Sequence, residues 1–292
     1  MDTISFANIK SDYILRQIFN NINEKKLLQI IKYNKNFQKR LEKEINDYIQ
    51  YNKIEIEIIP KQRREKTHFI NIERGKGRCY HIYLDDDEDE YHEYYLKKDE
   101  DVDYIRLIID SGVTSLSRLF SCCDYIKKIT FVKFNRKNIT DMSYMFNMCK
   151  SLEEVNLQNF PTDNVTDMSF MFYKCTSLRQ LNLNKFNTKN VRNMKDMFYY
   201  CKSLGQLDLS NFDTNNVTNM SYMFSFCSSL YRLNIENFNI NNVIDMSYMF
   251  YKCPSLRELK INNFNANNDA KKKSMVSGCS DGLKTIIKTY IE

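Results

Sequence analysis

The sequence has few of the residues that usually interrupt regular structure. It contains only 6 Gly and 3 Pro in 292 residues, and it has no Trp. So few turn-forming residues argue against an ordinary domain with many loops, because Gly and Pro mark most tight turns. Asn is abundant and can supply turns instead, since its short side chain bonds nearby backbone and tolerates left-handed conformations. At this length we expect either two domains or one elongated repeat array.

The sequence also lacks the segments that direct proteins to membranes or anchor them there. No run of about 18 apolar residues occurs, so no membrane-spanning helix is predicted. The N-terminal sequence MDTISFANIKSDYILRQIF has no basic flank followed by an unbroken apolar stretch, which is the pattern of a secretory signal. We therefore expect a soluble, cytoplasmic protein.

No constellation of residues typical of catalysis is present. The 3 His lie outside the repeats described below, and G-x-S-x-G, Walker, Rossmann and H-E-x-x-H motifs are all missing. The net charge of +6 is small, and charges of both signs alternate, so no basic face for nucleic acid is predicted. The acidic run DDDEDE at 85–90 is interpreted as a solvated loop. The sequence therefore predicts a protein that is not an enzyme and needs no cofactor or metal.

A repeat with a constant period of 26 residues covers more than half of the chain. The phrase NVTDMSFMFYKCTSLRQLNLNKFNT returns with small changes, and a degraded copy begins at residue 269. The six full units are 113–138, 139–164, 165–190, 191–216, 217–242 and 243–268. One column of the repeat holds seven cysteines: Cys123, Cys149, Cys175, Cys201, Cys227, Cys253 and Cys279.

Two apolar patterns inside each unit predict its secondary structure. The first has the spacing L-x-x-L-x-L-x-x-F and occupies Leu152, Val155, Leu157 and Phe160. It predicts a short strand with alternating buried and outward side chains. The second occupies Met142, Met145, Phe146 and Cys149, the spacing of one buried helical face. The predicted fold is an α/β solenoid, a leucine-rich-repeat array with short parallel strands on the concave side and short helices on the convex side.

The segments outside the six units are expected to close the two ends of the array. Residues 1–50 have apolar residues at helical spacing and form a predicted helical module. Residues 51–112 form a small strand-rich connecting and N-cap region, which completes an α+β N-terminal module. Within it, YIRLIID at 104–110 is expected to pair with the first unit as a cap. Residues 269–292 form the predicted C-terminal cap.

The cysteine and asparagine columns are interpreted as structural. Metal sites need clustered ligands such as C-x-x-C, which are missing, whereas the cysteines share a stripe with Met and Phe and are expected in the core. Stacked units would also bring successive thiols near disulfide range. Asparagines at the unit boundaries are expected to bond local backbone in their turns, as at Asn164, Asn190, Asn216 and Asn242.

The repeated V-T-D-M-S-Y-M-F-x-x-C-x-S-L-x-x-L-N-L-x-x-F-N-T resembles the leucine-rich repeats of the BspA-like family, over roughly residues 113–280. That family occurs mainly in bacterial surface proteins and in protist proteins, where the repeats serve binding. The resemblance therefore implies recognition of a partner. A cell-surface or adhesive role is one alternative, and it predicts glycans at the four N-x-S/T triplets that begin at Asn138, Asn164, Asn216 and Asn219.

The order of apolar residues in 11–41 resembles an F-box, the helical module that docks substrate receptors on the Skp-type adaptor of cullin ubiquitin ligases. It differs in having no Pro before the first helix and Phe37 near the usual Trp position. The resemblance implies adaptor docking through Leu15, Phe19, Leu27 and Leu28. An amphipathic helical cap on the repeat array is the other interpretation of this segment.

The remaining candidate for function is the concave face, formed by the outward positions of the predicted strands. These positions are polar, mixed in sign and rich in amides, which suits recognition of proteins through hydrogen bonds. The predicted partner-binding residues are Glu154, Asn156, Gln158, Gln180, Asn182, Asn184, Gln206, Asp208, Ser210, Arg232, Asn234, Glu236, Glu258, Lys260 and Asn262. We therefore expect a non-catalytic interaction scaffold, with an F-box-type substrate receptor as the first alternative.

Overall fold

The computed structural model describes residues 50–61, 65–72, 75–98, 100–262 and 269–291, together with residues 10, 11 and 39. The chain divides into two compact units, Met1–Lys53 and Ile54–Glu292. The predicted helical module and its docking residues Leu15, Phe19, Leu27 and Leu28 lie outside the described residues. Among the described helices, none has both the length and the apolar character needed to cross a membrane.

The second unit consists mostly of strands in mixed and parallel sheets, with little helix. Its strands are β1 (Ile54–Pro60), β2 (Thr67–His68), β3 (Tyr80–Leu84), β4 (Tyr95–Leu96), β5 (Ile105–Ile109), β6 (Ile126–Lys133), β7 (Glu154–Asn156), β8 (Gln206–Asp208), β9 (Arg232–Asn234) and β10 (Glu258–Lys260). A single 3₁₀ turn, Gly77–Cys79, precedes β3, and helix α1 (Asp281–Ile291) follows the last repeat in the described part of the unit.

The largest sheet joins the N-terminal region to the first repeats in the order β3-β5-β1-β6-β7. Strands β3, β5, β1 and β6 pair antiparallel, whereas β6 and β7 pair parallel. The sequence prediction that YIRLIID caps the first unit is wrong in detail, because β1 lies between β5 and β6. Ile54, Ile56 and Ile58 of β1 are fully buried, so this strand covers the apolar end of the array. The acidic residues 86–90 follow β3 and are exposed, as expected of a solvated loop.

Successive repeat units are bonded to one another in register at intervals of 26 residues. Parallel bridges connect Ser115, Asp141, Asp167, Asn193, Asn219, Asp245 and Lys271 in a continuous series. The side of each unit that contains residues 140–151 and their equivalents is called the turn side here. The side that contains residues 152–158 and their equivalents is called the strand side.

The helices predicted for the turn side are wrong: residues 100–262 contain no α-helix. Tyr144 and Met148 have φ of 58° and 59°, and the equivalent residues of the other units are also left-handed. Such residues break a right-handed helix. Alternate backbone N–H groups donate to the next unit, as Tyr144 does to Ser169 O at 2.9 Å and Phe146 to Met171 O at 2.9 Å. The backbone therefore forms tight turns that bond between units.

Strands on the strand side form in most units, though not in all of them as predicted. Strand β7 pairs with β6, and β8, β9 and β10 form a separate parallel sheet in which Leu207, Leu233 and Leu259 are in register. Residues 178–183 of the third full unit contain no strand. The ladder is therefore interrupted between β7 and β8.

The core consists of side-chain columns that run through the units. The rings of one column stack on each other with centroids 5.2 to 5.8 Å apart, and its members are Phe120, Phe146, Phe172, Phe198, Phe224 and Phe250. Columns of Met, Leu and Val beside it are equally buried. At the C-terminal end Leu283 and Ile287 of α1 are buried, whereas Ile286 is partly exposed. Helix α1 therefore contributes an apolar face to the end of the core.

Polar side chains connect neighbouring units as well. The sequence predicted that the boundary asparagines bond backbone within their own turns. They instead bond the backbone of the preceding unit. Asn164 donates to Lys137 O at 2.7 Å, and Asn190 donates to Asp163 O at 2.6 Å. The buried Thr188 hydroxyl donates to Asp213 O at 2.9 Å in the following unit. These bonds satisfy backbone carbonyls that would otherwise be left without donors where the chain turns.

The cysteine column lies in the core, and its thiols have a hydrogen-bonding role. Cys175 donates to Phe146 O at 3.0 Å and Cys201 donates to Phe172 O at 3.1 Å, and this contact recurs along the column. All nine cysteines are free, and seven are buried. Burial raises the pKa of the thiols at Cys123, Cys149, Cys175, Cys201 and Cys227, in Cys227 to about 12. At neutral pH these five thiols are therefore protonated and weakly nucleophilic.

Alkylation of the native protein is expected to separate these cysteines by exposure. With iodoacetamide at pH 8, Cys122 should react first because it is exposed, and the half-buried Cys79 should follow more slowly. The buried column should react only after denaturation, which intact-mass and peptide mass spectrometry would measure. Labelling of Cys201 as fast as Cys122 would contradict the packing described here.

Candidate functional site

A groove with a volume of about 750 Å³ lies on the strand side. Twelve of the fifteen residues that the sequence predicted for partner binding line it, whereas Glu236, Glu258 and Asn262 do not. The lining residues come from four consecutive units and one residue of the next. The regular spacing of the units, about 4.8 Å in a parallel ladder, places equivalent side chains in rows across the groove.

The central row of this groove has a role in the fold. Asn156, Asn182, Asp208 and Asn234 each accept, through Oδ1, the backbone N–H two residues ahead. The distances are 2.9 to 3.2 Å, so each side chain closes the turn that follows it in the chain. The N–H of Ser210 also lowers the pKa of Asp208, which keeps this carboxylate ionised. These four residues are therefore partly used by the fold itself.

The row that precedes it is more available to a partner. Its members Glu154, Gln180, Gln206, Arg232 and Glu258 are all exposed. Two ion pairs involve this row: Lys128 Nζ to Glu154 Oε1 at 3.0 Å, and Arg232 Nε to Glu258 Oε2 at 3.6 Å. Exposed pairs of this kind contribute about 0 to 1 kcal/mol, so a partner can replace them at little cost. The row therefore offers charges of both signs together with two uncharged amides.

The interruption of the ladder lies at the centre of the groove. Leu181 is only half-buried there, whereas the equivalent Val155 and Leu207 are 6% and 3% exposed. Leu181 also lines the groove, so the polar rows surround one accessible apolar side chain. The sequence does not reveal this feature, because Leu181 has the same pattern position as its buried equivalents. An apolar contact surrounded by polar groups is the usual arrangement of a protein-binding surface.

Aromatic side chains on the turn side are a second feature that the sequence interpretation missed. Tyr173 and Tyr199 stack with centroids 4.8 Å apart, and Tyr222 and Tyr248 stack at 4.7 Å. All four are half-buried. In the predicted helices these residues would have no regular arrangement between units, whereas the 26-residue period places them in columns. The period was therefore the one sequence signal that could have predicted these stacked rings.

In the described part of the chain, no group of three or more His, Cys, Asp or Glu side chains is placed to hold a metal ion. The rows on the strand side instead present donors and acceptors at fixed spacing, with a single apolar contact among them. This arrangement can bind a polypeptide through hydrogen bonds and exposed ion pairs.

Comparison with known families gives one match. A family model described as "Mycoplasma protein of unknown function, DUF285" matches residues 114–207 and, in a second copy, residues 180–289. The two matches together cover more than half of the chain and begin near the first repeat unit. No curated protein and no solved structure matches significantly.

Proposed function

The chain belongs to the DUF285 family, and we propose that it is a non-catalytic scaffold whose leucine-rich-repeat solenoid, of the BspA-like type, binds protein partners along its concave face. That face corresponds to the strand side, and the groove there is the observation that carries the proposal. Its rows of exposed side chains come from consecutive units whose backbones are held by hydrogen bonds.

A rigid surface of this kind supports binding for an energetic reason. Association requires ordering of side chains and loops at about 0.5 to 1.5 kcal/mol for each immobilised side chain. Backbone bonds between units order the strand-side backbone from β6 to β7 and from β8 to β10, so this part of the cost is met there during folding. An extended or strand-like segment of a partner that carries both amide and charged groups fits the mixed rows best, and an apolar side chain of that partner would contact Leu181.

The proposal is tested by comparing partners of the full-length chain with those of a variant whose groove is obstructed. Gln180→Arg with Gln206→Arg adds two long cations to the exposed row. The fold should tolerate them, because Arg232 occupies the same position in the next unit. Affinity purification from the native cell, read by quantitative mass spectrometry, is expected to show at least a tenfold loss of the strand-side partners.

The matched control adds the same charges on the turn side. Thr166→Arg with Thr218→Arg is suitable because Arg192 occupies this position in the unit between them. This control should retain the partners recovered by the wild-type chain. Retention of all partners by both variants would refute binding through the groove, and loss from both would point to a general effect of charge.

A further inference from the structure

One column on the turn side carries mostly rings and is interrupted by a carboxylate. This column, called the outer column, consists of one left-handed residue per unit: Arg118, Tyr144, Phe170, Asp196, Tyr222, Tyr248 and Ser274. Tyr144 stacks on Phe170 with centroids 4.4 Å apart and planes 5° apart. Tyr222 stacks on Tyr248 at 4.7 Å and 8°. Asp196 therefore stands where a ring would connect the two stacked pairs.

The carboxylate of Asp196 makes no hydrogen bond or ion pair with the described residues, and its oxygens retain contact with solvent. The residue as a whole is only 6% exposed. Burial raises the pKa of Asp196 to about 6, and the nearby Lys195 opposes this only in part. Lys195 instead directs its ammonium group towards the Phe170 ring, 5.8 Å from the centroid. At neutral pH the protein therefore maintains a largely buried negative charge that Lys195 compensates only in part.

The stack of the outer column has no ring between Phe170 and Tyr222, where Asp196 stands. These residues are two units apart, so a group midway between them would be roughly 5 Å from each ring, given about 4.8 Å per unit. This is within the distance of about 6 Å at which cations are attracted to ring faces. The chain already uses such a contact at the end of the same column, where the Arg118 guanidinium lies 4.3 Å from the Tyr144 ring centroid.

We propose that Asp196, Phe170 and Tyr222 form a slot that binds an arginine side chain of a partner polypeptide. A guanidinium group is planar, stacks on aromatic rings and pairs with a carboxylate through two parallel hydrogen bonds, whereas a lysine ammonium is a compact point charge without this planar fork. The bound guanidinium would continue the ring stack and supply the counter-charge that Asp196 lacks. The slot shares no residue with the strand-side groove, so it stands or fails independently of the proposed function.

The slot is tested by titrating the full-length protein with a blocked Gly-Arg-Gly peptide, followed by NMR of the peptide. Wild-type protein is expected to shift the arginine side-chain protons upfield, because ring currents act on a group between two ring faces. Asp196→Asn is expected to weaken binding at least tenfold while preserving the fold, since Asn also tolerates a left-handed backbone. The same peptide with citrulline, which has the shape of arginine without its charge, should bind at least tenfold more weakly.

A matched control and a second variant make the result decisive. Asp167→Asn removes the same charge at a position where the following units carry Asn193 and Asn219, and it should leave binding unchanged. Asp196→Tyr restores the missing ring and should abolish binding without lowering the melting temperature. Free arginine serves as a further arm: tighter binding of the free amino acid than of the peptide would overturn the polypeptide partner. Equal binding by wild type and Asp196→Asn, or no upfield shift, would overturn the slot.

Discussion

Phe172→Ala is expected to lower the free energy of unfolding by about 3 to 5 kcal/mol, the range for truncation of a buried aromatic side chain. Phe172 is fully buried between Phe146 and Phe198, whose ring centroids lie 5.2 and 5.8 Å away. The cavity left by the ring cannot close easily, because backbone bonds hold the unit to its neighbour. Phe172 N–H donates to Met197 O at 2.9 Å, and Phe146 N–H donates to Met171 O at 2.9 Å.

Urea unfolding followed by circular dichroism measures this effect, with Tyr231→Ala as the control. Tyr231 is 47% exposed, so its truncation should lower the free energy of unfolding by less than about 1 kcal/mol. The midpoint and the slope should be compared for both variants, since the slope reports the surface exposed on unfolding. Equal losses of stability in the two variants would show that the Phe column does not carry the core.

Asp196→Asn is expected to stabilise the protein at neutral pH and to leave its stability nearly unchanged in acid. The pKa of this carboxyl is 3.8 in its ordinary state and about 6 in the fold, because burial disfavours the charged form. Between these values the folded state binds more protons than the unfolded state, so stability falls as the pH rises from about 4 to 6. A difference of about two pKa units corresponds to up to about 3 kcal/mol, which the neutral amide avoids.

Thermal melts of wild type and variant at several pH values between 4 and 8 would show this effect. The gain in melting temperature should be small near pH 4, grow towards pH 6 and level off above it. Asp167→Asn is the control of equal charge, and it should show no such growing gain. A gain that is independent of pH would mean that the Asp196 carboxyl is not desolvated in the folded protein.

The period and the core were predictable from the sequence, because both depend on residue type alone. Buried columns such as Phe146 and Cys149 recur every 26 residues, and every unit must bury them against its neighbours. The parallel bonding between units follows from the constant period. The outward rows of the strand side follow equally from the alternation of apolar and polar residues.

The turn-side helices were mispredicted because one pattern of apolar residues fits two different backbone conformations. Apolar residues at i, i+3, i+4 and i+7 line one face of a helix, but they also lie inside a series of tight turns. In this protein Tyr144 and Met148 are left-handed, four residues apart, so the buried positions repeat at a similar interval. Non-glycine residues rarely adopt this conformation, and here it is stabilised by hydrogen bonds to another unit. Local residue propensities cannot predict hydrogen bonds between units.

Two further features could not be predicted from local sequence patterns: the strand that pairs with the first unit, and the proposed slot. Strand β1 pairs with β6 across about 70 residues of sequence, and several buried apolar strands of this region could have taken its place. The significance of Asp196 depends on its neighbours two units apart in space rather than on any residue beside it in the chain. Comparing the outer column between units would have singled it out as the one acidic residue among mostly aromatic ones.

The register of the bonds between units has a consequence for how the gene can change. Most bonds between units join residues 24 to 29 positions apart, and many recur one unit further on, as the bond of Cys175 to Phe146 O does in that of Cys201 to Phe172 O. Unequal recombination that removes residues 165–190 would join Asn164 to Val191, which recreates the Asn-Val junction found at the unit boundary. Gain or loss of one whole unit therefore preserves the pattern, whereas a shift of one residue disrupts it. Loss of the unit 191–216 would make Phe170 and Tyr222 neighbours in the outer column and remove the proposed slot.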